Sequence, residues 1–345
     1  MKNMLRCVVI VFVFSSCAST ELVHISVQQP ARVTLPAYIK NVVVVNRTAV
    51  SNKSKVFNVV DKVVSLETPD LDKEGSSATI TGLSDELKKN SRFGQVNLLD
   101  GTDLTTDVPG LFPSPLSWDT VEELCNENNA DALFSLELFD THSNIDYSIN
   151  KTTAKTPLGN IPLVEQQANM RTVVKAGWRI YDVREKNILD EAAVSRNIIY
   201  HGKGINPLLA AQALIERKEA VKEVGNMAGH AYAFSIIPLW TRVTRDYYVR
   251  GSGNFKIATR KARTGNWNGA AQLWQAETSN PKRKIAGRAC YNMAIISEIN
   301  GDLDTAIDWA QKSYEYYGIR LALTYVNILK NRKINDAIVA DQQTE

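Results

Sequence analysis

The sequence predicts an α+β protein, with a mixed β-sheet domain and packed helices followed by an all-α domain of helical hairpins. Three observations predict it. Val42 to Val45 is a continuous apolar run of the kind a buried strand needs, and strand and helix patterns alternate after it. Thr172, Val174, Ala176, Trp178 and Ile180 alternate with Arg171, Val173, Lys175, Gly177 and Arg179, the two-residue period of a strand with one buried and one wetter face. Beyond Gly251-Ser252-Gly253, which reads as a hinge, the spacing is helical throughout and a glycine-led segment recurs.

In order along the chain, Ala18 to Pro36 reads as a polar tether, and Val42 to Val45 as the first strand. A helix follows between Leu71 and Asn90, where Ile80, Leu83 and Leu87 return at helical spacing. Phe93 to Leu99 reads as a strand and Pro109 to Pro115 as a proline-rich turn. Ser117 caps a short helix whose Trp118, Val121, Leu124 and Cys125 share a face. Ala130 to Phe139 is the next strand, and this order implies crossovers and partly parallel pairing. A polar loop is expected at Ser148 to Lys155, then a hairpin that turns at Asp182 to Asn187 and returns from Ile188 to Tyr200. One helix is expected from Leu208 to Ser235, with Gly225 and Gly229 packing close to a sheet. Pro238 stops it, and Leu239 to Val249 reads as the last strand of the sheet domain.

Hydrophobic residues make up 44% of the chain and charged residues 22%, the balance of a folded body. The first residues combine Lys2 and Arg6, an apolar run from Cys7 to Phe14, and the small Ser15 and Ser16 before Cys17, which is the layout of a signal peptide. The apolar run is far shorter than the roughly 20 residues that span a bilayer as a helix. Loss of that leader takes two of the 40 basic residues and leaves 38 against 37 acidic, which gives no support to nucleic-acid or polybasic membrane binding. A body of about 330 residues suggests two domains. Cys125 and Cys290 lie on separate segments, where two buried thiols fit better than a disulfide.

The stretch Phe14-Ser15-Ser16-Cys17 resembles the lipobox of bacterial lipoproteins, the alternative being an ordinary secretory leader that contains a cysteine. The resemblance implies cleavage before Cys17 and lipid on its thiol, and two or three acyl chains anchor a protein stably. The organisation is then a lipoprotein signal peptide at 1–16, a lipidated tether at 17–36, a mixed-sheet domain at 37–250 and a helical domain at 254–345. Ala18, at mature position two, is not an aspartate that would resemble an inner-membrane retention signal, so the outer membrane is expected. Glu21 is the one acidic residue close behind Cys17, which points to the periplasmic rather than the surface face.

Gly265-Asn266-Trp267-Asn268-Gly269-Ala270 recurs 36 positions later as Gly301-Asp302-Leu303-Asp304-Thr305-Ala306, and a weaker copy ends near Asn335-Asp336-Ala337. These segments resemble the tetratricopeptide repeat, with an insertion near Pro281 to Lys284 relative to that family's period. The family's groove positions carry over to Phe255, Thr259 and Arg263 in the first repeat and Arg288, Tyr291, Ile295 and Glu298 in the second. The resemblance implies that this groove binds a partner, the alternative being that Tyr291 and Ile295 are core and the arginines solvated. The chain as a whole resembles a family of Bacteroidota cell-envelope lipoproteins of uncharacterised function. The segments that carry this are Pro36-Ala37-Tyr38-Ile39-Lys40, Asn46-Arg47, Pro238-Leu239-Trp240 and Arg245-Asp246-Tyr247-Tyr248.

No catalytic or metal-binding motif stands out. Gly82-Leu83-Ser84-Asp85-Glu86 lacks the closing glycine of a nucleophile elbow, no His-Glu-x-x-His or Cys-x-x-Cys is present, and His24, His142, His201 and His230 are scattered. No catalytic residue, metal or cofactor is assigned. The expected function is a non-catalytic scaffold or adaptor, tied to the membrane through Cys17, that binds an envelope protein partner and no nucleic acid. The alternative is a glycan-binding or hydrolytic envelope component with a scattered site in the sheet domain.

Overall fold

A computed structural model describes residues 19–48, 71–99, 104, 111–157 and 159–344. The leader and Cys17 lie outside these described residues. The elements in chain order are β1 (Thr20–Gln29), β2 (Asn41–Asn46), α1 (Leu71–Lys89), β3 (Gln95–Leu99), α2 (Trp118–Glu127), β4 (Ala132–Thr156), β5 (Gly159–Asp182) and β6 (Asn187–Gly204). Then follow α3 (Pro207–Gln212), α4 (Arg217–Ala233), β7 (Leu239–Tyr248), α5 (Gly253–Arg263), α6 (Trp267–Glu277), α7 (Arg283–Ile299), α8 (Leu303–Glu315) and α9 (Arg320–Thr344). The chain is α+β and divides into two compact units, one of residues 30–239 with 339–345, the other of residues 1–29 with 240–338.

The first unit is built on a five-stranded sheet in the order β3-β2-β4-β5-β6. β2 pairs in parallel with β3 and β4, while β4–β5 and β5–β6 are antiparallel. The valine run of β2 is buried on both sides. Val42 and Val44 join the core beneath α1 and α4, and Val43 and Val45 join a smaller core with Val121 and Cys125 of α2. Such two-sided burial is why this strand reads as a continuous rather than an alternating run. Ser117 caps α2 as its sequence predicts, accepting from the Thr120 amide at 3.2 Å.

Several boundaries differ from the sequence reading, each for a physical reason. The expected loop at Ser148 to Lys155 is the continuation of β4, paired with β5 as far as Thr156↔Gly159. The expected helix from Leu208 to Ser235 is two helices, α3 and α4. Gly225 and Gly229 pack against α1 rather than a sheet: a β-carbon on Gly229 would lie 1.9 Å from the Thr79 carbonyl oxygen, and one on Gly82 2.1 Å from that of Asn226. The two helices therefore meet backbone to backbone, which only small residues at the crossing permit. Gln342, near the end of α9, clamps the backbone of this unit through Ala31, accepting from its amide at 2.8 Å and donating to its carbonyl at 3.0 Å.

The second unit holds α5 to α8 and the two-stranded β1–β7 sheet. The segment taken as a tether contains β1, and β7 is its partner rather than a strand of the five-stranded sheet. The two glycine-led segments form matching turns. Gly265 and Gly301 hold φ of 78° and 80°, and Asn266 and Asp302 cap the following helices by accepting from the amides of Gly269 and Thr305. The third copy expected at Asn335 to Ala337 lies inside α9, where no turn interrupts the helix.

Candidate functional site

The groove positions read from the sequence surround the chain's own β1–β7 ribbon. Phe255 is 0% exposed and belongs with Tyr247 and Tyr248 of β7 to one apolar core. Thr259 is buried and donates to the Phe255 carbonyl. Arg263, on the surface, is ion-paired with Glu21 of β1. The Arg288 guanidinium lies 4.8 Å from the Tyr248 ring centre and donates to the Arg250 carbonyl at 2.7 Å. Tyr291 is 4% exposed and meets Tyr248 edge to face at 5.3 Å, and Ile295 is fully buried beside it.

Glu298 is 1% exposed and carries four hydrogen bonds: two from Arg245 of β7 at 2.9 Å, one from Arg332 at 3.0 Å and one from the Tyr325 hydroxyl at 2.5 Å. Burial, with Glu298 beside it, pushes the Tyr325 hydroxyl well above its ordinary range. Beside this cluster Asn292 clamps the Tyr248 peptide, accepting from its amide and donating to its carbonyl, both at 2.7 Å. The expectation of an open groove is thereby corrected, because β7 occupies the place an extended partner would take, and Phe255, Tyr291 and Glu298 are interior. Arg245, Asn292, Tyr325, Arg332 and Glu21 were missed by sequence reasoning. A signal existed for the strand that carries Glu21, since Val23, Ile25 and Val27 alternate with His24 and Ser26.

In the sheet unit a cluster of buried charge forms around Glu137. Glu137 accepts from Arg47 at 2.5 Å and from the Tyr181 hydroxyl at 2.9 Å, and Arg179 lies 3.7 Å away while pairing with Glu191 at 2.7 Å. Burial pushes the Glu137 carboxyl upward against the pull of Arg47, Tyr181 and Arg179. Arg179 also donates to the Pro113 carbonyl, and Tyr181 accepts from the Leu116 amide, so the cluster fastens residues 113–116 to the sheet. With both oxygens of Glu137 engaged, the carboxylate is poorly placed to act as a general base.

His230 sits 2.9 Å from Glu86, His201 bonds Asn169 at 2.6 Å, and His24 bonds Thr244 at 3.1 Å. Among the described residues no group of three histidine, cysteine, aspartate or glutamate side chains is placed to hold a metal. Cys125 and Cys290 are free and buried, and burial pushes their thiols up to about 12 and about 11, so both are unreactive at neutral pH.

The distal part of the β4–β5 hairpin extends beyond the rest of the five-stranded sheet. β6 pairs with β5 only as far as Gln166↔Gly204, and β2 pairs with β4 only as far as Leu136. From Asn150↔Glu165 to Thr156↔Gly159 the two strands run on as a ribbon of about 23 Å. Among the described residues no other strand lies along this stretch. At its root Tyr147, Ile149 and Val164 share one face, with Ile149 64% and Val164 53% exposed. Across the opposite face Asn150, Gln167, Asn169 and His201 form a hydrogen-bonded row.

Residues 39–248, more than half of the chain, match the domain of unknown function DUF8603. The chain belongs to the DUF8603 family. Its DUF8603 portion runs from the entry to β2 through to the end of β7, and residues 256–331 match a second domain of unknown function, DUF6340. No curated protein matches the chain. Among solved structures, the PelC dodecamer from Paraburkholderia phytofirmans is 12% identical, covering 62% of this chain and 98% of that one with a TM-score of 0.25. A protein described as a neuraminyllactose-binding hemagglutinin homolog from Helicobacter pylori is 14% identical, covering 57% and 80% with a TM-score of 0.24. At such scores neither likeness carries an argument about the DUF8603 chain.

Proposed function

We propose that this protein is a non-catalytic scaffold of the cell envelope, lipid-anchored through Cys17 at the periplasmic face of the outer membrane, that binds a protein partner. The leader and lipobox support the anchor. The tetratricopeptide-like helices hold the β1–β7 ribbon internally, so the partner surface is assigned to the β4–β5 ribbon. One observation carries that assignment: a two-stranded ribbon along which, among the described residues, no third strand is paired, with exposed Ile149 and Val164 at its root. Two strands alone are marginal in water, and a third strand added at the side gains backbone hydrogen bonds and apolar cover together. β5 carries Pro162 in this stretch, which has no N–H to donate, whereas β4 carries no proline. The partner is accordingly a protein that contributes an extended strand to the outer side of β4.

In-cell crosslinking of the tagged chain tests this, with Ile149→Lys/Val164→Lys as the arm variant and Arg263→Ala/Arg288→Ala as the groove variant. Both arm positions are exposed, so the fold should change by no more than about 0.5 kcal/mol. The expected result is a specific partner that is lost in the arm variant and kept in the groove variant. The reverse pattern would return the function to the helices, and absence of any partner would remove the scaffold reading.

A further inference from the structure

The mature chain is nearly neutral, yet its charge is unevenly placed. Between Tyr247 and Ser297 there are nine basic residues and a single acidic one, Glu277. Glu277 is buried and accepts from Ser252, Asn254 and Asn280, so its charge is consumed inside the unit. On α5 the exposed residues Lys256, Arg260 and Arg263 follow one another at spacings of four and three, along one side of the helix, with Ile257 exposed next to them. Lys282 and Lys284, at the start of α7, are exposed as well.

The proposed anchor lies close in sequence to a residue that touches this surface. Arg263 is ion-paired with Glu21, and four peptide units link Glu21 to Cys17, so the two α-carbons can be no more than about 14 Å apart. We propose that the basic side of α5 is a membrane-contact surface that lies on anionic phospholipid headgroups and orients the anchored protein. The proposal rests on the lipoprotein reading of Cys17 for its geometry. The occupant follows from charge complementarity and reach: a row of cations with one apolar side chain beside it, held next to an acyl anchor, meets lipid phosphates first. Lys and Arg near an anionic surface add their attraction roughly one by one and are screened by salt.

The test uses the full mature polypeptide from position 17, made without its leader and with Cys17→Ser, so that no acyl chain contributes. Co-sedimentation is compared on vesicles of mixed phosphatidylglycerol and phosphatidylcholine and on phosphatidylcholine alone. Binding is expected to the mixed vesicles only, to vanish at high salt, and to weaken at least about tenfold in Lys256→Glu/Arg260→Glu. Lys88→Glu/Lys175→Glu, on exposed residues of the sheet unit, should bind like the parent. Equal binding to both vesicles, or an unchanged Lys256→Glu/Arg260→Glu variant, would overturn the proposal. So would capture by soluble polyglutamate without vesicle binding, which would reassign the surface to an acidic protein. Incorporation of labelled palmitate into the full-length chain and its Cys17→Ser variant reads the anchor separately, so failure of the lipoprotein reading and failure of the contact surface are distinguishable.

Discussion

Glu298 shows how a residue that looks like a binding position becomes part of a fold. The sequence resemblance to a repeat family puts it at a groove position, where a carboxylate would suit a basic partner. Here the basic partners are Arg245 and Arg332 of the same chain, with Tyr325 completing the shell. A buried carboxylate shared by two arginines is costly to break, because each guanidinium left behind remains out of water. Glu298→Gln is expected to destabilise the helical unit by about 3–5 kcal/mol, read by urea unfolding. An effect below about 1 kcal/mol would show that water reaches the cluster. Glu21 makes a weaker, tunable contact of the same kind. The Arg263 guanidinium holds its carboxyl below the ordinary value of 4.5, and Tyr247 adds to this, against opposing burial. A depressed carboxyl contributes stability that is complete above the ordinary value and is lost as the pH falls through the lowered one. Protection factors of the β1 amides, taken relative to the intrinsic exchange rate at each pH, should therefore fall on acidification through that window. In Glu21→Gln the same window should be flat.

At the scale of elements, the contact of α1 with α4 is decided by what is missing. Gly82, Gly225 and Gly229 let the helix backbones touch, and a methyl group on Gly229 would overlap the Thr79 carbonyl. Gly229→Ala is expected to cost about 3 kcal/mol, near the upper end for overpacking, in a thermal or urea melt. Gly253→Ala, where nothing lies within 4 Å, should be neutral or slightly stabilising. The two glycines of α4 were legible as a close-packing signal, but the sequence does not say what they approach. The same limit runs through the chain. β2, α1 and α2 were readable because each buries a complete face, and the twin caps at Asn266 and Asp302 because turn chemistry is local. The stretch from Ser148 reads as a loop because Ser148 to Lys151 and Thr153 are exposed, so no apolar alternation marks it. β1 lies in the segment read as a tether, because the partner that makes it a strand, β7, is more than 200 residues away. For the site, the positions read as partner-binding, Arg263, Arg288, Tyr291 and Glu298, contact segments of their own chain, which lie too far away in sequence for local spacing to reveal.

At the scale of the whole molecule, the order of the chain and the composition of its cores do not coincide. The helical unit takes residues from both sides of the sheet unit, and the sheet unit takes the last residues of the chain. The apolar cores share no residue: Val42, Trp178 and Tyr232 belong to one, while Val23, Phe255 and Tyr325 belong to another. Val23 enters the helical core from β1, and β1 supplies the strand that pairs with β7. Deleting residues 20–29 therefore removes a wall from the helical unit while leaving every core residue of the sheet unit in place. Buried side chains contribute about 1.5–3 kcal/mol each, and the ladder and the Glu21 contact are lost with them. A loss of about 5 kcal/mol approaches the whole stability of a typical domain. Hydrogen exchange by mass spectrometry on the deletion variant should show α5 to α8 deprotected while β2, β4 and β5 keep their parental protection. Uniform deprotection of both sets would mean that the two cores unfold as one despite their separate composition. Unchanged protection of α5 to α8 would mean that β7 holds its place on the helices without β1, through Tyr247, Tyr248 and the Asn292 and Glu298 contacts.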